Sequence, residues 1–249
     1  MDFYTVLQEY YDELFPLQTK CIDFLVGIRN KGIIKYDGIC KVLDTCCFTA
    51  TIDHALVRQN FDVTGIDDKK EMIVIADRRK KIPFSNSRFF EMSLLDISRY
   101  FAKDSFDIIF SFLPCCGYLK DRTLVKKFLY DLRIILKDSG IFIAHLFNHD
   151  YFIDNKTFEF PPRESPRVKL TRKLVESSKS GIMEYRGTLS FSDNKRKQVT
   201  TSFPVCRIKR DEFASYANEA GFSCQFYSDF EFSPVKKDSV CILGILKPI

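Results

Sequence analysis

The sequence predicts an α/β fold: a mostly parallel sheet with helices on both faces, carrying an inserted antiparallel β meander. Three observations predict it. Between residues 40 and 147, apolar runs of strand length alternate with stretches of helical period. One run, Phe106 to Phe112, is almost uniformly apolar, as a strand covered on both faces must be. Between residues 161 and 210 the pattern changes to long polar-apolar alternations separated by turn residues.

The elements follow in order. Phe3, Val6, Leu7, Tyr10, Tyr11 and Leu14 repeat at helical spacing. A second stripe, Leu17, Cys21, Phe24, Leu25 and Ile28, follows Pro16 and ends at Gly32. Cys40 to Asp44 reads as a strand, Thr51 to Asn60 as a helix, Phe61 to Asp67 as a strand and Lys69 to Lys80 as a helix. Strands at Arg88–Met92 and Phe106–Phe112 come next. Thr123 to Lys137 is the clearest helix, closed by Lys137-Asp138-Ser139-Gly140 before a strand at Ile141–Phe147. Phe213, Tyr216, Ala217 and Ala220 mark a last helix, with closing strands at Phe222–Ser228 and Val240–Leu246. Strand-helix alternation at this spacing means a doubly wound sheet. The core is expected over residues 1–160 and 211–249, and the insertion, or lid, over 161–210.

The insertion reads as three strands, Arg167–Ser177, Ile182–Phe191 and Gln198–Ile208, with turns at 178–181 and 192–195. It carries 13 Lys+Arg against 4 Asp+Glu. The net charge of +5 is therefore +9 on the insertion and −4 on the rest. Such a basic segment admits three readings: a solvated lid face, a clamp for an anionic small molecule through Arg172, Arg186 or Arg207, or a nucleic-acid footprint.

Composition excludes several classes. An apolar fraction of 45% with a small net charge over 249 residues belongs to a folded chain that needs no disulfides. The longest apolar run, Phe106 to Leu119, is too short and too broken to span a bilayer. The start Met-Asp-Phe-Tyr lacks a secretory pattern. The nine cysteines contain no Cys-x-x-Cys pair, so reduced thiols in a cytoplasm and no metal site are expected. The vicinal pairs Cys46-Cys47 and Cys115-Cys116 are read as small apolar side chains filling tight turns.

In a doubly wound sheet, ligands bind beyond the carboxyl ends of the strands near the switch in strand order. That rule points to Asp44–Ala50, Asp67–Asp68, Ser93–Asp96, Leu113–Tyr118 and Asn148. Asp67 ends its strand about 20 residues after the first turn, where an acid suits ribose hydroxyls. His149 and His145 bracket Asn148, and a histidine can serve as a general base near neutral pH.

These segments carry a resemblance. Val42 to Ala50, "VLDTCCFTA", resembles the first motif of class I S-adenosylmethionine-dependent methyltransferases, usually V-L-D-L-G-C-G-T-G. "FDVTGIDDKKEMIVIA" is similar to the family's second strand and following helix. "FDIIFSFLPCCGYL" is similar to its fourth strand and loop, and "LKDSGIFIAHLFN" to its "LKPGGLLIFDVFN". "EYYDELFP" and "KRDEFASYANEAGFSCQFYSDFEFSP" resemble a small-molecule branch with an antiparallel meander before the last helix. The resemblance implies a Rossmann-like, seven-stranded methyltransferase sheet and S-adenosylmethionine as cofactor. It further implies that Asp67, with Asp68 beside it, meets the ribose. Asp44, Cys46 and Phe48 would pass the methionine part. Ser93 and Leu94 would flank the adenine, with Met72 packed against it. Leu113 and Pro114 would lie beneath the reacting centre, and Tyr11 would approach the cofactor. Tyr118, Arg186 and Arg207 would face the acceptor, and Asn148 and His149 are the candidates for catalysis.

Cys46, Phe48 and Ala50 stand where the family has glycine. A left-handed backbone at Phe48 would cost about 1–2 kcal/mol. Three functions fit the pattern: methyl transfer to a small molecule, methyl transfer to nucleic acid, or a methyltransferase fold kept for binding alone.

Overall fold

Val42, Leu43, Ile108, Ile109 and Phe110 are fully buried, because β1 (Lys41–Asp44) and β4 (Phe106–Ser111) lie side by side at the centre of a sheet covered on both faces. The computed structural model describes residues 2–79, 86–112, 115–151, 157–179, 181–192, 198–236 and 238–249. The other strands of this sheet are β2 (Asp62–Asp67), β3 (Ser87–Glu91), β5 (Leu136–Phe147), β10 (Phe222–Tyr227) and β11 (Cys241–Pro248). Their order is β10-β11-β5-β4-β1-β2-β3. All neighbours pair in parallel except β11, which runs antiparallel to β5 and β10. The order reverses between β1 and β4, so a crevice opens at their carboxyl ends.

The strand period of two sorts the core into two layers. Leu43 and Ile109 join a cluster with α5 (Ile97–Tyr100), α6 (Arg122–Ile135) and α7 (Arg210–Glu219). Val42, Ile108 and Phe110 join the opposite cluster, with α2 (Thr19–Asn30) and α3 (Thr51–Arg58). The remaining helices are α1 (Phe3–Leu14) and α4 (Lys70–Arg78). The carboxylate of Asp2 caps α1 by accepting the Tyr4 and Thr5 N–H groups.

The insertion is an antiparallel sheet of four strands, β6 (Thr157–Glu164), β7 (Val168–Glu176), β8 (Ile182–Phe191) and β9 (Val199–Cys206). The sequence pattern predicted three. The strand it missed contains Pro161-Pro162, which break a strand signature. They sit where the β6–β7 register shifts between Phe160 and Arg163. Proline lacks an N–H, and an edge strand tolerates it at such an irregularity. The loop containing 193–197 lies outside the described residues. The inner face of this sheet packs on α1: Val168, Leu170 and Leu189 join Phe3, Val6, Leu7, Tyr10, Tyr11 and Leu14 in one buried cluster.

A second difference concerns Lys137 to Gly140, expected to close α6 as a turn. The helix ends at Ile135, and these residues begin β5. Lys137 Nζ reaches Asp107 Oδ1 at 2.7 Å, and Asp107 Oδ2 accepts the Lys41 N–H at 2.8 Å. Tertiary bonds thus extend a segment whose own residues favour a turn. A third difference concerns the cysteines. Cys21, Cys40, Cys47, Cys206, Cys224 and Cys241 are free thiols, but Cys46 is disulfide-bonded, against the expectation of a fully reduced chain. Among the described residues no helix is long and apolar enough to cross a membrane.

Asp107 is completely buried and joins β1, β4 and β5 through those two bonds. Asp107→Ala removes the partner of an ammonium and of a strand N–H. Urea denaturation should show a loss of about 2–3 kcal/mol.

Candidate functional site

The site begins where β1 ends. Thr45 N–H bonds Phe110 O at 3.0 Å, and Cys47 N–H bonds Ile66 O at 2.9 Å, so the turn after β1 is fastened to strands on both sides. Gly65 on β2 makes room for it. A Cβ at Gly65 would lie 2.8 Å from Cys47 Cβ and 2.7 Å from Phe89 Cδ1. Phe48 and Ala50 then adopt left-handed backbone, with φ of 48° and 58°. The turn keeps the conformation expected of glycine although neither residue is one. Asp67, at the end of β2, holds it there. Its Oδ2 accepts the Phe48 N–H at 3.1 Å and its Oδ1 the Lys69 N–H at 2.9 Å.

α1 covers the turn. The Phe48 ring stacks on Tyr11, centroids 4.8 Å apart and planes at 16°, and Tyr11 stacks on Phe15 at 4.9 Å. Thr49 Oγ1 donates to Asp12 Oδ1 at 2.8 Å, and Asp12 also pairs with Arg79 of the segment after α4. A cleft of about 110 Å³ remains between Tyr11, Phe15, Asp44, Cys46, Phe48 and Phe112. Sites for cofactor-sized ligands are typically about 300–1,000 Å³.

Beneath the turn lie three carboxyl groups. Asp44 Oδ1 accepts the Cys46 N–H at 2.9 Å. Asp53, in the first turn of α3, is fully buried against the Asp44 carboxyl. Burial pushes the Asp53 carboxyl well up and that of Asp44 up to about 7. Two such groups hydrogen-bond to each other only when one holds a proton. Burial also raises Asp67, to about 6, against the two N–H groups that favour its ionised form. Sequence reasoning missed Asp53. An acid in a helix first turn ordinarily reads as a solvated partner of the helix dipole, and nothing in the linear pattern places it beside Asp44.

The structure brings Tyr11, Asp44, Cys46 and Phe48 together around one cleft, with Asp67 bonded to the Phe48 N–H and Met72 buried in the cluster that holds Tyr11. Asp68 is not among them, for it is exposed and pairs with Lys69. Ser93 caps a short helical turn, its Oγ accepting the Leu95 N–H, and Leu94 packs on the sheet-helix core. Leu113 and Pro114 lie outside the described residues. Asn148 Nδ2 is engaged at 2.7 Å by Ser239 O, where it anchors the approach to β11. His149 borders a separate small cavity with Gly117, Cys206, Ile208 and Phe213. Burial and nearby Arg207 hold its imidazole down at about 4, so it is neutral at pH 7. His145 donates to Phe112 O.

Between the lid and the body lies an aromatic cluster. Tyr118 meets Phe203 edge-on at 5.0 Å and Tyr185 at 6.2 Å, and Tyr185 stacks on Phe203. Phe147 and Phe160 join it at 5.7 Å from each other. Arg186 lies outside, paired with Glu184, and Arg207 pairs with Glu176.

Residues 37–198 match a family described as a methyltransferase domain. The chain belongs to that family. A protein of Geobacillus sp. (strain WCH70) that carries a provisional methyltransferase name is 22% identical over 191 residues, 75% of each chain. Among solved structures, an S-adenosylmethionine-dependent methyltransferase from Clostridium acetobutylicum superposes with a TM-score of 0.79 at 17% identity, over 98% of both chains. The CcbJ methyltransferase of Streptomyces caelestis gives 0.79 at 12% identity, over 99% of this chain and 98% of its own. CalS10, an amino pentose methyltransferase of Micromonospora echinaspora with S-adenosylmethionine bound, gives 0.70 at 13%, over 98% and 97%. At these identities the superpositions establish the fold, a class I methyltransferase sheet with an added antiparallel sheet.

The carboxyl pair generates a prediction. The folded state keeps protons on Asp44 and Asp53 that the unfolded chain releases near pH 4. This contribution to stability is therefore full at low pH and is lost as pH rises towards about 7 and beyond. Asp53→Asn keeps the shape and gives Asp44 a permanent N–H donor. Its thermal midpoint should exceed the parent's at pH 8, and the difference should vanish towards pH 4.

Proposed function

We propose that the protein transfers the methyl group of S-adenosylmethionine to a small molecule. The observation that supports this most directly is the turn after β1, whose left-handed residues 48 and 50 are tied by a backbone N–H to the acid ending β2. A carboxylate has acceptor sites for about four hydrogen bonds. Asp67 uses two on its own backbone, which leaves room for ribose hydroxyls. The donor set therefore fits the cofactor, and the Phe48 ring is what must turn aside to widen the cleft. When bound, the cofactor supplies an already activated methyl group, so the protein's task is orientation and exclusion of water.

The chain's own residues suit that task. Asp44 and the turn would hold the methionine part, Tyr11 would offer an aromatic face to the sulfonium, and Met72, Ser93 and Leu94 would border the nucleotide. The acceptor would lie against Tyr118, Tyr185 and Phe203 under the lid. This placement favours a small acceptor over nucleic acid, since the lid turns apolar side chains towards the body. The outward cations Lys169 and Arg186 pair with Glu164 and Glu184. Placement gives no support to His149 or Asn148 as catalytic groups, since neither borders the cleft of Asp44 and Phe48.

Calorimetry with S-adenosylmethionine and its demethylated product tests the reading. Binding is expected, and Asp67→Ala should weaken it tenfold or more at unchanged secondary structure. Phe48→Gly should tighten it, because it removes both the ring and the strained side chain. Absence of heat at millimolar ligand in both the parent and Phe48→Gly would leave only the binding-protein reading.

A further inference from the structure

Arg172 sits where the fold calls for an apolar side chain. It lies between Leu170 and Leu174 on the face of β7 that packs on the body, and both leucines are buried. Its cross-strand neighbours, Phe160 on β6 and Gly187 on β8, are uncharged. The guanidinium lies 5.3 Å from the Phe160 ring centroid and 5.4 Å from that of Phe15. Its Nε is buried with no hydrogen-bond partner, and among the described residues the guanidinium makes one hydrogen bond, a long one of 3.4 Å to Pro161 O.

A second guanidinium faces the same ring. Arg163 pairs across with Leu170, which puts it on the same face, and it lies 5.8 Å from the Phe15 centroid. Among the described residues the carboxylate on this face of β7 is Glu176. It is exposed at the far end of the strand, four residues or about 13 Å from Arg172, and it pairs with Arg207. Other lid cations stand beside a carboxylate: Arg167 by Glu13, Lys169 by Glu164 and Arg186 by Glu184. Two cations thus converge at the edge of the aromatic cluster of Tyr118 and Tyr185 with no anion beside them among the described residues. Burying a guanidinium with an unmet donor is unfavourable, and the fold gains no ion pair in return. A planar fork of donors against aromatic rings is the geometry that receives a carboxylate or phosphate. The site also adjoins the methyl-donor cleft, because Phe15 lines that cleft and stacks on Tyr11.

We infer that Arg172, with Arg163 beside it, binds an oxyanion of the methyl acceptor, so that the acceptor is a small apolar or aromatic molecule carrying a carboxylate or a phosphate. This rests on the methyl-transfer reading for the word acceptor, but the anion site is testable without it. Calorimetry in phosphate-free, low-salt buffer would use benzoate, phenyl phosphate and the neutral isostere benzamide. At least one of the two anions should bind, tenfold or more tighter than benzamide, and which one does so distinguishes carboxylate from phosphate. Arg172→Gln should abolish the preference, leave the affinity for S-adenosylmethionine within twofold, and keep or raise the thermal midpoint, since it removes an unpaired buried charge. A structural arginine would instead lower that midpoint. Arg172→Lys, which keeps the charge but not the fork, should retain weakened anion binding and serves if the glutamine variant does not fold. Equal binding of benzamide, failure of both anions to bind, or undiminished anion binding by Arg172→Gln overturns the inference. Should S-adenosylmethionine fail to bind while the anion remains Arg172-dependent, the methyl-transfer reading falls and the anion site stands.

Discussion

The hydrogen bond from the Phe48 N–H to Asp67 fixes the left-handed part of the turn at the carboxyl end of the sheet. The turn after β1 must reverse direction over a strand that is itself buried, and it does so through two left-handed residues that carry side chains. Each such residue costs on the order of 1–2 kcal/mol. A bond to a carboxylate in a desolvated place returns an amount of the same size. The same carboxylate fixes the Lys69 N–H, so Asp67 sets the start of α4 as well as the turn. The acid that would meet a ribose is thus first of all the acid that fixes the turn.

α1 depends on this arrangement and extends it. One side of the helix stacks Tyr11 on Phe48 and reaches Thr49 through Asp12. The other buries Phe3, Leu7 and Tyr10 against the lid. The lid therefore does not rest directly on the turn; it reaches it through an aromatic and apolar helix. This explains why the strongly basic insertion has an apolar inner face, and why Arg163 and Arg172 stand out on it. Arg167, Lys169 and Arg186 pair instead with neighbouring carboxylates at the surface, where each pair is worth little to stability.

Most of the sheet was legible in the linear pattern because its strands are buried on both faces and read as continuous apolar runs, while α1 and α6 show clear 3.6-residue stripes. β6 was not legible, because Pro161-Pro162 hide a strand that only an edge position with a shifted register permits. Lys137 to Gly140 were read as a turn because their residues favour one. They are strand because Asp107 and the neighbouring strands bind them. In the site, Asp67 could be marked from its spacing, and the departures at Cys46, Phe48 and Ala50 from the resemblance to the family's first motif. Asp53 could not, because its burial beside Asp44 comes from the packing of α3 and not from its neighbours in sequence.

What the sequence determined by itself was the class of fold, the order of its elements, the basic insertion and the turn at which a ligand would bind. Period and spacing are local properties, and they survive in a one-dimensional pattern. Only the tertiary structure decided which charged groups are paired. Arg186 and Arg207 looked like Arg172 in sequence. Arg186 lies on the opposite face of the sheet beside Glu184, and Arg207 lies beyond the end of β9 beside Glu176, whereas Arg172 has no carboxylate beside it among the described residues. It also decided that the Phe48 ring lies on Tyr11, a contact between residues 37 positions apart that no pattern within either segment specifies.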